Sequence, residues 1–269
     1  MRLQVRHKTQ YRYDGPVAYA IQTLRLSPRP HEGLRVLSWR VEADGRRDLP
    51  SYVDGFGNLV HCHSINRRHD SVTLSVEGEV ETVDCAGILR GAEETLPPVF
   101  FLRETALTRA DAAIAAMAES GARGRTALDA LHGLMIAVHE QLAYRAGATD
   151  TGTPAAEALR QGAGVCADYA HVFIAGAKHL GIPARYVGGY LWTGVDGREH
   201  QASHAWAEAY VPDLGWVGFD ATNRICPTDA YVRSAIGLDY RSAAPASGVR
   251  RGDAPEKLTV SVAVTSANQ

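Results

Sequence analysis

The first third of the chain alternates between apolar and polar positions with a period of two. Segments such as LRVLSWRVEA and SVTLSVEGEVETV show this alternation, which is typical of strands with one buried face. Turn residues separate these segments, for example Asp44-Gly45, Asp54-Gly55 and Gly57-Asn58. The pattern predicts an antiparallel β-sandwich or small barrel over residues 1 to about 90.

The pattern changes near Leu96-Pro97-Pro98. Ala-rich segments at about 111–120 and 126–142 have helical composition and spacing, which predicts two helices. We therefore place a domain boundary here, with a β-rich N-terminal domain at 1–95 and a second domain at 96–269.

The second domain mixes helix and strand. A largely apolar helix is predicted at 164–180, because Gly181 and Pro183 are stop signals behind it. Short β segments follow, namely ARYVGGYLW, HAWAEAYV and GWVGFDA, and LTVSVAV forms a last alternating strand. The segment 242–255 is rich in Ala, Ser, Gly and Pro and is interpreted as a loop. The fold class is therefore α+β, with a sheet behind the 164–180 helix.

Charge and composition narrow the classes of function. The 28 basic and 30 acidic residues give a net charge of -2, which gives no reason to expect nucleic acid or an anionic membrane as a partner. The first residues are too polar for the apolar centre of a signal peptide, and no run of about 18 apolar residues occurs. These features favour a soluble, cytoplasmic protein.

The four cysteines lie far apart, at Cys62, Cys85, Cys166 and Cys226. They lack CxxC spacing, so free thiols are expected rather than a disulfide framework or structural zinc. His61 and His63 would share one face of a strand and could supply two metal ligands. Because no second ligand pair with suitable spacing follows, surface or edge-strand histidines are the preferred interpretation, and no metal is expected.

Cys166 lies in the first turn of the predicted helix, just after Gly162 and Gly164. A helix N-terminus favours the thiolate form of cysteine, and the free N–H of Cys166 could stabilise an oxyanion. The simpler alternative is a small buried side chain in an apolar helix. Only a second functional group near the thiol can decide between the two.

A candidate base follows in the segment SHAWAEAYVPDLGWVGFDATN. His204, on a predicted strand, can point at the start of the helix, and Asp220 on the returning strand could orient its imidazole. Opposed residues of an antiparallel pair share a face, so a regular two-residue loop would pair His204 with Asn223 and turn Asp220 away. We therefore predict a connection with an odd number of residues or a bulge. If the ladder is regular, Asn223 becomes the orienting residue.

These motifs resemble the core of the bacterial transglutaminase-like superfamily, which includes cysteine proteases with a papain-like arrangement. The resemblance rests on GVCADYA at a helix start, on SHAW and on GWVGFD, in that order. YRYDGPV, LRLSPRP and DGFGN resemble the β-rich region that precedes this core in one bacterial group. The resemblance implies a papain-like core in which the nucleophile, base and orienting acid are Cys166, His204 and Asp220.

The resemblance also implies that an upstream side chain, here Tyr144, supplies a second oxyanion donor. Trp206 could wall a substrate groove.

We expect acyl transfer through a thioester, without a cofactor, from a protein or peptide substrate. Hydrolysis is preferred over transfer to an amine. Transfer requires a dry acceptor tunnel that excludes water, and the core sequence shows no obvious lid insertion that would form one. A non-catalytic binding module and acyl transfer to an arylamine are the alternatives. The sequence does not give the oligomeric state.

Overall fold

The computed structural model describes residues 1–122, 125–194, 199–200 and 203–266. Its N-terminal strands follow the period-two pattern, since buried and exposed residues alternate along the first strand from Arg2 onward. The first seven strands are β1 Arg2–Val17, β2 Tyr19–Ser27, β3 Leu34–Ala43, β4 Ser51–Val53, β5 Leu59–Ile65, β6 His69–Thr82 and β7 Ile88–Leu89.

The central part of the chain is helical. A 3₁₀ turn at Pro98–Leu102 begins at the second of two adjacent prolines. The α-helices are α1 Ala112–Ala122, α2 Ala127–Gln141, α3 Ala155–Gln161, α4 Cys166–His179 and the short α5 Tyr240–Ala243. Two short parallel strands, β8 Ala143–Tyr144 and β9 Ala163–Gly164, lead the chain up to the start of α4. The helices predicted at 111–120, 126–142 and 164–180 are thus present, with shifted ends.

The remaining strands are β10 Ala184–Leu191, β11 Glu199–His200, β12 His204–Val211, β13 Gly215–Phe219, β14 Tyr231–Gly237, β15 Ala246–Arg251 and β16 Glu256–Ser266. A central sheet has the order β14-β10-β12-β13-β7, and its paired strands are antiparallel. Helix α4 packs on β12 and β10, and apolar side chains of α1, α2, α4 and this sheet form one core. The predicted α+β class, with a sheet behind the Cys166 helix, is confirmed.

The N-terminal strands form two further sheets. Their orders are β11-β16-β1-β6-β3 and β15-β2-β5-β4. Apolar residues of both sheets meet in a separate core that includes Val17, Leu24, Val41, Ile65 and Leu74. This is the predicted antiparallel sandwich, since β1, β2 and β6 send alternate residues inward.

The C-terminal strands do not join the central sheet. β16 contains the predicted strand LTVSVAV and pairs with β1 along most of its length, while β15 pairs with β2. The prediction of a loop over 242–255 was wrong for Ala246–Arg251, because the long-range ladder with β2 supplies backbone partners that composition does not reveal. The division at residues 95 and 96 stays a prediction, and the sandwich contains strands from both sides of it.

Candidate active site

Cys166 is the first residue of α4, so its thiol lies at the N-terminus of that helix. The carboxylate of Asp168 accepts hydrogen bonds from the backbone N–H of Val165 at 2.8 Å and from the hydroxyl of Thr149 at 2.6 Å. The Val165 bond is half of a capping box. A Cβ at Gly164 would lie 2.6 Å from this carboxylate, so glycine is required there. Asp168 therefore fixes the backbone on which the thiol stands.

The hairpin of β12 and β13 brings His204 and Asp220 to one face. Val211 pairs with Gly215, which leaves a connection of three residues, 212–214, and Ala207 pairs with Phe219. Asp213 and Gly215 have φ values of 70° and 85°, which the tight connection requires. The predicted odd-numbered connection is therefore present, and Asp220 shares the face of His204.

Asp220 is fully buried and hydrogen-bonded by several groups. His204 Nε2 lies 2.7 Å from its Oδ2, and the hydroxyl of Tyr231 and the amide of Asn223 donate to the same oxygen at 2.7 Å each. The backbone N–H groups of Thr222 and Asn223 donate to Oδ1 at 2.9 and 3.2 Å. Burial raises the pKa of Asp220, but the bonds from His204, Tyr231 and Asn223 outweigh it, so the pKa is lowered.

Asn223 therefore acts differently from the alternative predicted for it. It donates to Asp220 and does not replace it as the acceptor beside His204. Tyr231 was not predicted at all. It lies on β14, and only the folded chain brings its hydroxyl to Asp220, 11 residues away in sequence.

His204 connects the thiol to the carboxylate. Burial lowers the pKa of His204, but the hydrogen bonds and charges of Asp220 and Cys166 raise it to about 10. Because Nε2 faces Asp220, Nδ1 is the ring nitrogen left for the thiol. The geometry thus favours an imidazolium at His204, held between the carboxylate of Asp220 and the thiol of Cys166, which is the arrangement in which a base activates a cysteine nucleophile.

Trp206 is buried, whereas Tyr144 is exposed to solvent. Trp206 is 3% exposed and stacks on the His204 ring at a centroid distance of 6.1 Å, so it contacts the base rather than the open cleft. Tyr144 is 61% exposed on β8, beside Gly164. Burial and the negative charge of Cys166 raise its pKa. Its role as a second oxyanion donor stays a prediction.

The two histidines considered as metal ligands have other partners. His61 Nε2 lies 3.1 Å from Ser27 Oγ, and His63 Nε2 lies 3.1 Å from Asp44 Oδ2. His63 is buried, and β5 is an inner strand of its sheet, so neither a surface nor an edge-strand position describes it. Within the described ranges, no group of three or more His, Cys, Asp or Glu side chains could hold a metal ion.

Two family descriptions match the chain. "Transglutaminase-like superfamily" matches residues 114–221, which include Cys166, His204 and Asp220. "Bacterial transglutaminase-like N-terminal region" matches residues 3–81, in the sandwich. The chain therefore has a transglutaminase-like core and a bacterial transglutaminase-like N-terminal region. These two matches support thiol-dependent catalysis in general terms.

Relatives of this transglutaminase-like chain extend over its full length. An uncharacterised protein of Mycobacterium leprae is 29% identical, over 98% of each chain. An uncharacterised protein of Mycobacterium tuberculosis is 27% identical, over 92% of this chain and 87% of its own. A crystal structure from Cytophaga hutchinsonii, named "Putative Cysteine Protease", has a TM-score of 0.78 at 21% identity and covers 100% of this chain and 92% of its own. This last likeness confirms the fold.

Among the described residues of the chain, no helix is both long enough and apolar enough to span a membrane.

Proposed function

We propose that the chain is a thiol-dependent amidase or peptidase, with Cys166 as nucleophile, His204 as base and acid, and Asp220 as the group that orients the imidazole. The contact of His204 with both other groups carries this proposal, because a base must reach the nucleophile and keep one tautomer. A cytoplasmic location is part of the proposal.

The reaction begins with attack of the Cys166 thiolate on an amide carbonyl carbon. The N–H of Cys166, which has no acceptor within the helix, donates to the oxyanion. The imidazolium of His204 gives its proton to the leaving nitrogen, the C–N bond breaks, and the amine departs from a thioester.

The second half of the reaction restores the enzyme. Neutral His204 takes a proton from water, the hydroxide attacks the thioester carbonyl, and the C–S bond breaks to release an acid. Cys166 returns as thiolate and His204 as imidazolium. Asp220 remains ionised throughout, because its low pKa keeps the carboxylate charged while the imidazole gains and loses its proton.

The first test of this proposal is iodoacetamide labelling of Cys166 from pH 4 to 9, measured by peptide mass spectrometry. Cys62, Cys85 and Cys226 are internal controls in the same samples. We expect Cys166 to be labelled fast well below pH 7, because only a thiolate reacts. Labelling that rises only near pH 8.5, in step with the other thiols, would exclude the catalytic proposal and favour a binding module.

A matched pair of histidine variants tests whether His204 acts specifically as the base, or whether removing any histidine slows the labelling of Cys166. His204→Ala should remove the fast labelling below pH 7. His179→Ala changes a histidine at the far end of the same helix, where the ring bonds Glu119, and should leave labelling unchanged. Equal loss in both variants would show that the imidazole of His204 has no specific role.

The acyl acceptor requires a separate measurement. Fluorogenic peptide amides are incubated with and without an added primary amine, and the products are identified by mass. We expect the free acid to dominate in both conditions. A new amide as the main product would assign the chain to amine transfer by the same triad instead.

A further inference from the structure

A cavity of about 280 Å³ lies directly against Cys166 and His204, and its wall comes from two parts of the chain. On one side are residues of the core, including Tyr186 and Tyr240. On the other are strands of the N-terminal sandwich, β1 and β16. The sandwich thus forms part of the cleft at the thiol.

The register of β1 and β16 explains which of their side chains face the cavity. Thr9 pairs with Val260, and Tyr11 pairs with Leu258. Opposed residues share a face, so these four side chains line one surface of the sheet. Thr259 lies between the two β16 residues and points to the opposite face.

Little positive charge is available in this cavity. Among its described lining residues none is lysine or arginine, and Asp150 and Asp168 supply carboxylates. His7 and His171 also line it, but burial lowers the pKa of each to about 4, so both are neutral at pH 7. His171 Nε2 already accepts the backbone N–H of Tyr240 at 3.0 Å. The positive charge of His204 is matched by Asp220.

We propose that this cavity binds an uncharged, apolar side chain on the acyl part of the substrate, and that Val260 and its neighbours on β1 and β16 determine this specificity. The proposal rests on the function proposed above and names its substrate class. Apolar cavities of about 150 Å³ take up benzene, so a cavity of about 280 Å³ has room for an aromatic or branched side chain beside the amide.

The acyl part is selected more strongly than the leaving amine. An acyl group bonded to the sulfur of Cys166 stays against the cavity through both halves of the reaction, whereas the amine departs after the first half. A carboxylate in that position would lose its hydration near Asp150 and Asp168 without gaining a cation. Acidic side chains are therefore excluded. A cationic side chain gains little, because Asp168 Oδ2 already accepts from Thr149 and Val165 and Asp150 Oδ1 from Gly152. Apolar side chains are retained.

The test uses chloromethyl ketones of N-acetylated phenylalanine, alanine and aspartate, which alkylate the thiol with the side chain held on the acyl side. We expect the phenylalanine reagent to label Cys166 at least about tenfold faster than the aspartate reagent. Val260→Trp should slow the phenylalanine reagent about tenfold or more. Thr259→Trp puts the same bulk on the opposite face and should leave the rate unchanged.

A second variant and a second reagent keep this test decisive. If Val260→Trp does not fold, Leu258→Trp replaces it, since Leu258 is 52% exposed and tolerates a larger side chain. Iodoacetamide is too small to need the cavity. It should label Val260→Trp and Leu258→Trp within about twofold of the wild-type rate. Equal rates for the phenylalanine and aspartate reagents, with fast iodoacetamide labelling, would overturn the cavity proposal and leave the function intact.

Binding without reaction is measured in the Cys166→Ala chain, which lacks the nucleophile. N-acetylphenylalaninamide should show saturation transfer from this variant in nuclear magnetic resonance, and adding Val260→Trp should abolish the signal. N-acetylaspartamide should show none. If Cys166 proves unreactive below pH 7 while this pattern holds, the function fails and the cavity remains an apolar binding site. Equal signals from both amides would refute the cavity proposal, whatever the reactivity of the thiol.

Discussion

The Asp220→Asn substitution tests whether the carboxylate sets the protonation state of His204. The substitution keeps the shape of the side chain but removes its charge and places an amide N–H₂ or a neutral oxygen opposite Nε2. Where the N–H₂ faces the ring, Nε2 must accept, so neutral His204 carries its proton on Nδ1, towards the thiol. In that tautomer the imidazole cannot take the proton of Cys166.

The size of the effect follows from the hydrogen bond that is lost. Bonds to a charged group contribute about 1.5–3 kcal/mol, and each 1.36 kcal/mol corresponds to one pKa unit. Asp220 raises the pKa of His204, so its removal lowers that pKa and weakens the ion pair with the thiolate. We expect the labelling profile of Cys166 to move up by about one to two pH units, and turnover to fall by about ten- to 150-fold.

The assay is iodoacetamide labelling from pH 4 to 9, with urea denaturation of the same samples. Asp239→Asn is the matched control, since Asp239 is also buried and caps the backbone of α5 through Ser242. It should lose stability without moving the profile. If Asp220→Asn labels like the wild-type chain at every pH, the carboxylate does not control the imidazole, and our account of the site is wrong.

Two further predictions concern the framework of the site. A Cβ at Gly189 would overlap the backbone oxygen of Val232 and lie 2.8 Å from the Trp206 ring, so Gly189→Ala should lower the free energy of unfolding in urea by about 1–3 kcal/mol. Gly188→Ala should cost clearly less, because its Cβ would have its nearest neighbour at 3.7 Å. Burial raises the pKa of Glu208, but Arg233 and Arg185 lower it to about 2, so its stabilisation is complete above its ordinary pKa of 4.5 and is lost as the pH falls towards 2. The wild-type chain should lose about 3 kcal/mol more than Glu208→Gln across that window, and equal slopes would contradict this.

The parts of the site that the sequence predicts are those governed by local rules. The position of Cys166 in the first turn of α4 follows from the glycines before it, and the end of the helix follows from Gly181 and Pro183. Strand parity limits how Asp220 can face His204, and the observed three-residue connection satisfies that limit.

The parts that the sequence does not predict depend on which distant strands become neighbours. Tyr231 reaches Asp220 only because β14 pairs with β10 in the same sheet as β12, and nothing in the spacing of these segments gives that order. The alternation in β16 predicts a strand but not its partner, β1. Periodicity defines which face of a strand is buried, whereas the sheet order comes from packing across the whole molecule.

The pairing of β1 with β16 also affects the order in which the protein can fold. Leu3 lies opposite Ser266, so this ladder joins residues separated by almost the entire chain, and closing such a long loop is entropically unfavourable before other contacts form. We expect this ladder to form late in folding, after the local α4 contacts. On the ribosome, Cys166 would emerge long before residues 256–266, so the cavity wall would be absent from the nascent chain. Synthesis would then delay completion of the site until those residues are free to pair.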